Sequence, residues 1–302
     1  MAEAPAFFPG FERLDIDAGG VRFAGVTGGA GPPLLLLHGY PQTHIAWRKV
    51  APALARDHTL IIPDLPGYGA SRPETMLPRW TKRRVGKALV ALMRALGHDR
   101  FALAGHDRGA RAGYRLALDH PGVVSRFASL TVVPTLDAMA AVDYNFAHQA
   151  YHWFWLAQQA DLPERLLAAA PDAVLDHALT LMEAGSDSVI EPPAREAYRL
   201  AFRNPSVQHA ICEDYRAALD EDLACDQADR AAGRKLDCPI LVICSGSQNL
   251  ADRMAIWDSW ADNVTGRATS GGHLQAEDCP DEVIAALVPF FSDDAPAGTK
   301  SR

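Results

Sequence analysis

The chain has 302 residues, 48% of them hydrophobic and 22% charged, which is enough apolar material for a large buried core and too much for a disordered chain. Its formal net charge of -8 repels phosphates, which argues against a nucleic-acid partner or an anionic membrane surface. Any anionic substrate must therefore be held by a local basic site.

From the start, Met1 to Gly10 lacks the charged opening and long apolar stretch of an export signal, and no later segment offers about eighteen uninterrupted apolar residues to span a membrane. Phe11 to Val26 alternates apolar and polar residues around Ala18-Gly19-Gly20, as a hairpin does, and Gly28 to Pro33 ends that pairing. Four short apolar runs follow, Leu34 to Leu37, Leu60 to Pro63, Phe101 to Ala104 and Phe127 to Val133. Such runs suit strands of a parallel sheet covered on both faces. Helical stretches at Thr81 to Leu96 and Arg108 to Asp119 lie between them, giving the strand–helix alternation of a doubly wound α/β sheet. Ile240 to Ile243 and Val264 to Thr269 resume that pattern after a long helix-like interval broken by prolines. The expected organisation is a core of residues 1–136 and 235–302 carrying a helical cap, residues 137–234, with a loose tail from Asp293 to Arg302. Cys212, Cys225, Cys238, Cys244 and Cys279 form no CxxC pair and no zinc spacing, so they read as reduced thiols of a cytoplasmic protein that holds no metal.

Ala104-Gly105-His106-Asp107-Arg108-Gly109 closes one strand and opens a helix, with glycine two positions before and two after Asp107. This is the nucleophile elbow of α/β-hydrolases with aspartate in place of serine, which argues against an ordinary serine esterase. An N-cap aspartate would look the same in isolation. Two further landmarks favour the elbow: Leu37-His38-Gly39-Tyr40-Pro41, where this fold supplies oxyanion-hole N–H groups, and Pro63-Asp64-Leu65-Pro66-Gly67-Tyr68-Gly69. Gly271-Gly272-His273 follows the last strand, where the fold places its histidine. A carboxylate nucleophile attacks saturated carbon and leaves an alkyl ester, with haloalkyl and epoxide carbons as the obvious targets. Water activated by His273 would then attack that ester, its oxyanion held by the N–H groups of Tyr40 and Arg108, with no cofactor required. Arg108 and Arg111, three positions apart at the start of the same helix, could clamp a substrate carboxylate in bidentate fashion. The basic run Arg79, Lys82, Arg83 and Arg84 reads as a solvated helix face.

With these motifs the chain resembles the haloacetate dehalogenases. The likeness runs through His38-Gly39-Tyr40-Pro41-Gln42-Thr43, Gly105-His106-Asp107-Arg108-Gly109-Ala110-Arg111, Tyr151-His152-Trp153 and Cys212-Glu213-Asp214-Tyr215-Arg216. It implies hydrolytic dehalogenation of a short 2-haloacid such as fluoroacetate or chloroacetate, with Arg108 and Arg111 on the substrate carboxylate. It also implies that His152, Trp153 and Tyr215 donate to the departing halide, and that chains pair as homodimers. On pattern alone Tyr144, Phe146, Tyr151, Trp153, Phe154 and Trp155 would read as apolar packing of a lid helix.

One part of the pattern is missing. The family's supporting aspartate falls at Thr131 here, and the alternative Gly-x-x-Asp turn reads Gly246-Ser247-Gln248-Asn249. Asp252 and, less directly, Asp137 are the remaining acids nearby, and for both a surface or capping role is the ordinary reading. Loss of the acid predicts slow ester hydrolysis, because the base loses tautomer control. The alternatives are an epoxide hydrolase using Asp107 and His273, and a catalytically impaired homologue that binds a small carboxylate.

Overall fold

The structure is a computed structural model that describes residues 6–185 and 188–292; the expected loose tail, Asp293 to Arg302, lies outside these. The hairpin forms as the alternation predicts, β1 (Glu12–Ala18) against β2 (Val21–Gly28). Gly19 and Gly20 take φ of +58° and +78° in the turn, a region that glycine enters without a Cβ clash. The apolar runs become β3 (Pro33–Leu37), β4 (Thr59–Pro63), β6 (Phe101–His106), β7 (Val124–Leu130), β8 (Ile240–Ser245) and β9 (Val264–Thr269). A two-residue strand, β5 (Arg72–Pro73), pairs with β2 and is too short to leave an apolar run in the sequence. The sheet order is β1-β2-β4-β3-β6-β7-β8-β9, parallel from β4 onward and antiparallel at the hairpin edge.

β3 is Pro-Leu-Leu-Leu-Leu, and all four leucines are fully buried because helices cover both faces of the sheet. Each such leucine contributes roughly 1.5–3 kcal/mol of transfer free energy. Core helices α1 (Ala51–Leu54), α2 (Lys82–Ala95) and α3 (Arg108–Asp119) lie between strands β4 to β7 or before them. The strand expected over Phe127 to Val133 is shifted: it starts at Val124 and stops at Leu130, because Thr131 turns into the left-handed region at φ +69°. A β-branched side chain there is strained by about 1–3 kcal/mol.

Between β7 and β8 the chain makes only helices among the described residues. These are α4 (Thr135–Ala140), α5 (Tyr144–Gln149), α6 (His152–Leu156), α7 (Leu162–Ala169), α8 (Pro171–Met182), α9 (Pro192–Phe202), α10 (Pro205–Leu219) and α11 (Glu221–Ala231). Prolines open α8, α9 and α10, where a missing N–H costs no helical bond. Of the aromatic residues expected to pack here, Tyr144 is 81% exposed, whereas Trp153 is buried. The chain then completes the sheet with α12 (Leu250–Asp258), α13 (Gln275–Asp278) and α14 (Pro280–Phe291). The parallel strands all deliver their C-terminal ends to one edge, so Asp107, Thr131, the Gly246–Asn249 turn and the His273 loop follow β6, β7, β8 and β9 in that spatial order.

Candidate active site

β6 is buried along its whole length, and the chain reverses sharply after His106 into α3, with Asp107 at φ 48°, ψ -115°. The flanking glycines make this turn sterically feasible. A Cβ on Gly105 would lie 2.6 Å from the backbone of Ala110, and one on Gly109 would lie 2.4 Å from the His38 carbonyl. Asp107 makes no side-chain capping bond, so the ordinary N-cap role is not what its carboxylate performs. Instead Oδ1 accepts the Tyr40 N–H at 2.9 Å, and Oδ2 faces His273 Nε2 at 3.6 Å, an ion-pair separation longer than a hydrogen bond. Burial works to raise the Asp107 pKa, but His273, His106 and Arg108 outweigh it and hold the carboxyl well below its usual range. The group is thus an anion in a nearly dry site, 5% exposed. Of the two expected oxyanion donors, Tyr40 already touches the carboxylate, and the Arg108 N–H opens α3 next to it.

His273 sits in the loop after β9, anchored by its own N–H to the Met182 carbonyl at 2.8 Å. Its carbonyl accepts from His106 Nε2 at 2.8 Å, and the two rings lie 5.0 Å apart, centre to centre. Burial, helped by His273, pushes the His106 pKa down to about 4, so at neutral pH this ring is an uncharged donor. Within the elbow motif His106 carries no distinguishing sequence signal for its bond to the His273 loop.

None of the sequence candidates brings a carboxylate to the His273 ring. Thr131 is buried, and its hydroxyl donates to the Leu130 carbonyl at 2.7 Å. Gln248, in the alternative acid turn, donates to the Thr131 carbonyl at 3.4 Å and leaves its own Oε1 buried and unpartnered. Asp252 lies exposed in the first turn of α12, and Asp137 is bound to Arg230 and the Trp260 indole N–H. Both therefore fill the ordinary structural roles. Among the described residues, Asp107 is the only acid within ion-pair range of His273.

The two arginines meet beside Asp107 but are not equivalent. Arg111 Nη1 donates to the Val133 carbonyl and Thr135 Oγ1, while Nε is buried without a partner. Arg108 departs from the expected clamp: its Nε and Nη2 already grip Asp214 on α10, both at 2.8 Å, and only Nη1 is left buried and unpartnered. Lys82 departs from the expected solvated face. It is 3% exposed and pairs with the same Asp214, because the start of α2 packs beneath the helical insertion. Arg79, Arg83 and Arg84 are more exposed, although each has local partners: Arg79 binds Glu213, Arg83 binds Asp119, and Arg84 stacks on Trp80.

His152, Trp153 and Tyr215 converge over this corner. The Tyr215 ring lies 5.6 Å from His152 and 5.5 Å from Trp153, and His152 stacks on Tyr40 at 5.4 Å. Arg108 lies 4.5 Å from the Tyr215 ring centre, and Arg111 lies 4.7 Å from that of Trp153. The Tyr215 hydroxyl is buried with no partner. Burial lowers the His152 pKa to about 4, leaving a neutral ring. A buried, ionised carboxylate, a facing imidazole, unfilled arginine donors and an unfilled phenol therefore converge at this corner.

Comparison with known proteins agrees with this architecture. Residues 32–274 match the family described as alpha/beta hydrolase fold. A fluoroacetate dehalogenase from Burkholderia sp is 39% identical over 95% of each chain. A soluble epoxide hydrolase from Corynebacterium sp. (strain C12) is 32% identical over 90% of this chain and 94% of its own. The solved structure of a candidate epoxide hydrolase from Pseudomonas aeruginosa superposes with a TM-score of 0.90 at 49% identity, covering 93% of this chain and 95% of that one. A T131D mutant of that protein has also been solved with bound MFA. No helix among the described residues is long and apolar enough to cross a membrane. The chain belongs to the α/β-hydrolase fold family.

Proposed function

We propose that this chain hydrolyses a short 2-haloacid, such as fluoroacetate or chloroacetate, to the corresponding 2-hydroxy acid. The observation that carries this reading is the Asp107 carboxylate, with one oxygen on the Tyr40 N–H and the other free to attack, beside two buried arginines that each keep an unpartnered donor. In the first half-reaction Asp107 Oδ2 forms a bond to the substrate's C2 as the carbon–halogen bond breaks, and the halide leaves with the electron pair. Arg111 and Arg108 hold the substrate carboxylate, while Tyr215, Trp153 and the neutral His152 ring supply donors to the halide in a water-poor pocket. In the second half-reaction His273 takes a proton from water as it adds to the Asp107 ester carbonyl. The negative charge collects on Oδ1, in the hole formed by the Tyr40 and Arg108 N–H groups. Collapse breaks the bond from the ester carbonyl carbon to the product's oxygen, which takes the proton from His273 as the hydroxy acid leaves, and loss of the remaining proton to solvent restores the Asp107 carboxylate. The helices between β7 and β8 act as a cap over the site, and the step after displacement is the slower one because, among the described residues, no acid other than Asp107 lies within ion-pair range of His273. The similarity to a fluoroacetate dehalogenase and the T131D–MFA structure of the Pseudomonas relative support this reading.

The second reading is epoxide hydrolysis, favoured by the buried, unpartnered Tyr215 hydroxyl, which could protonate an epoxide oxygen, and by similarity to epoxide hydrolases. Incubation with fluoroacetate, chloroacetate and a neutral epoxide separates the readings. Halide release that disappears in Asp107→Ala is expected. Diol formation without halide release would replace the proposal with epoxide hydrolysis, and ligand stabilisation with neither product would leave a small-acid binding protein.

A further inference from the structure

Asp214 belongs to none of the roles assigned so far, yet it is the most heavily used acceptor beside the site. It lies on α10, in the helical insertion, and receives Arg108 Nε on Oδ2 and Arg108 Nη2 on Oδ1, both at 2.8 Å. Its backbone carbonyl takes a second bond from Arg108 Nη2, also at 2.8 Å. Lys82 Nζ binds Oδ1, and the Tyr68 hydroxyl donates to Oδ2 at 2.9 Å. Lys82, Tyr68 and Arg108 come from the sheet domain, so one carboxylate of the insertion joins three core groups.

The consequence lies in the geometry of the guanidinium. Its Nε and Nη2 N–H bonds run parallel and form the side-on fork used to grip a carboxylate. In Arg108 that fork is occupied by Asp214, and the remaining Nη1 is buried without a partner. In Arg111 the arrangement is reversed: Nη1 is occupied by Val133 and Thr135, and the edge carrying Nε is unfilled. The two arginines thus leave different edges unfilled beside Asp107.

We propose that Asp214 is a positioning residue for substrate recognition: it fixes Arg108 so that only Nη1 reaches the substrate carboxylate, leaving Arg111 to supply the fork. This rests on the haloacid reading above. Asp214 also prevents a competing arrangement. Arg108 interacts electrostatically with Asp107, and a guanidinium released from Asp214 would turn toward that anion and mask the nucleophile. Lys82 and Tyr68 also bind Asp214, so its orientation is set by packing rather than by substrate. An amide at this position would face Arg108 or Lys82 with N–H groups, donor against donor.

The test compares a carboxylate with its neutral isostere. Wild type, Asp214→Asn and Asp214→Glu are titrated calorimetrically with glycolate and glycolamide, and chloride release from chloroacetate is followed in the same preparations. Wild type is expected to prefer glycolate, Asp214→Asn to lower the glycolate:glycolamide affinity ratio by at least tenfold, and Asp214→Glu to recover part of it. A ratio unchanged in Asp214→Asn, with both ligands weakened alike, would overturn the proposal and leave Asp214 a structural residue. A wild type with no preference for glycolate would overturn it as well. If Asp214→Asn does not fold, Lys82→Met, which removes one of the groups holding Asp214, is expected to lower the same ratio, and an unchanged ratio there counts against the proposal. Chloride release judges the haloacid reading separately: a glycolate preference that depends on Asp214, with no chloride from wild type, would sink that reading and keep the positioning role.

Discussion

The two sides of the site are built to different standards. On the Asp107 side the carboxylate is firmly placed: the elbow is permitted by Gly105 and Gly109, Oδ1 rests on the Tyr40 N–H, and His273, His106 and Arg108 hold the carboxyl well below its usual range. On the His273 side the loop is well anchored through Met182 and His106, yet among the described residues no acid but Asp107 itself approaches the ring. Thr131 stands where the acid is expected, with its hydroxyl turned to its own strand, and Gln248 leaves an amide oxygen unpartnered. Forming an ester and hydrolysing it make different demands, and a chain can satisfy the first while neglecting the second.

The largest effect should come from Asp107→Ala, which removes the attacking atom and is expected to abolish both halide release and any covalent adduct. Next, His273→Asn should leave the displacement side working while the other stops, giving one halide per chain and a persistent ester on Asp107, read by halide assay and intact mass. Thr131→Asp should sharpen the comparison in the opposite sense. Losing the acid of a related triad costs about 10⁴ in turnover, so supplying one is expected to raise turnover here roughly ten- to a hundredfold. Aspartate also tolerates the left-handed backbone at this position better than threonine does, so thermal stability should hold or rise. Arg111→Ala should raise KM for chloroacetate by a factor on the order of thirty, about 2 kcal/mol for a charged hydrogen bond, with a smaller change in kcat. The smallest effect concerns pH. Asp107 is depressed in the folded site, so its charge is lost only when pH falls through that low value, and adduct formation in a rapid-mixing assay should be flat across the neutral range.

Much of this comparison was legible in the sequence. The strand–helix alternation, the elbow and the histidine after β9 are local patterns, and each landed within a few residues of its place. The missing acid was legible too, because Thr131 and the Gly246 to Asn249 turn could be read directly against where the fold keeps its carboxylates. What could not be read was pairing across the chain. Lys82 lies in a run of basic residues and looks solvated, but its partner is 132 positions away on α10, and only the docking of the insertion buries both. For the same reason two arginines one helical turn apart looked interchangeable until Asp214 occupied the fork of one of them. The end of β7 was misplaced because nothing in Leu130-Thr131-Val132-Val133 announces that a threonine will take a positive φ.

The imbalance between the two sides is tested most directly by a single time course. Wild-type protein is mixed with excess chloroacetate, and intact mass and free chloride are recorded from the same quenched samples. The account predicts a fast release near one chloride per chain, accompanied by a carboxymethyl adduct on Asp107, then slow linear release while most of the protein remains esterified. Rapid, linear chloride release from the first samples, with the protein mass unmodified throughout, would show that His273 is fully supported without a second acid and would contradict it.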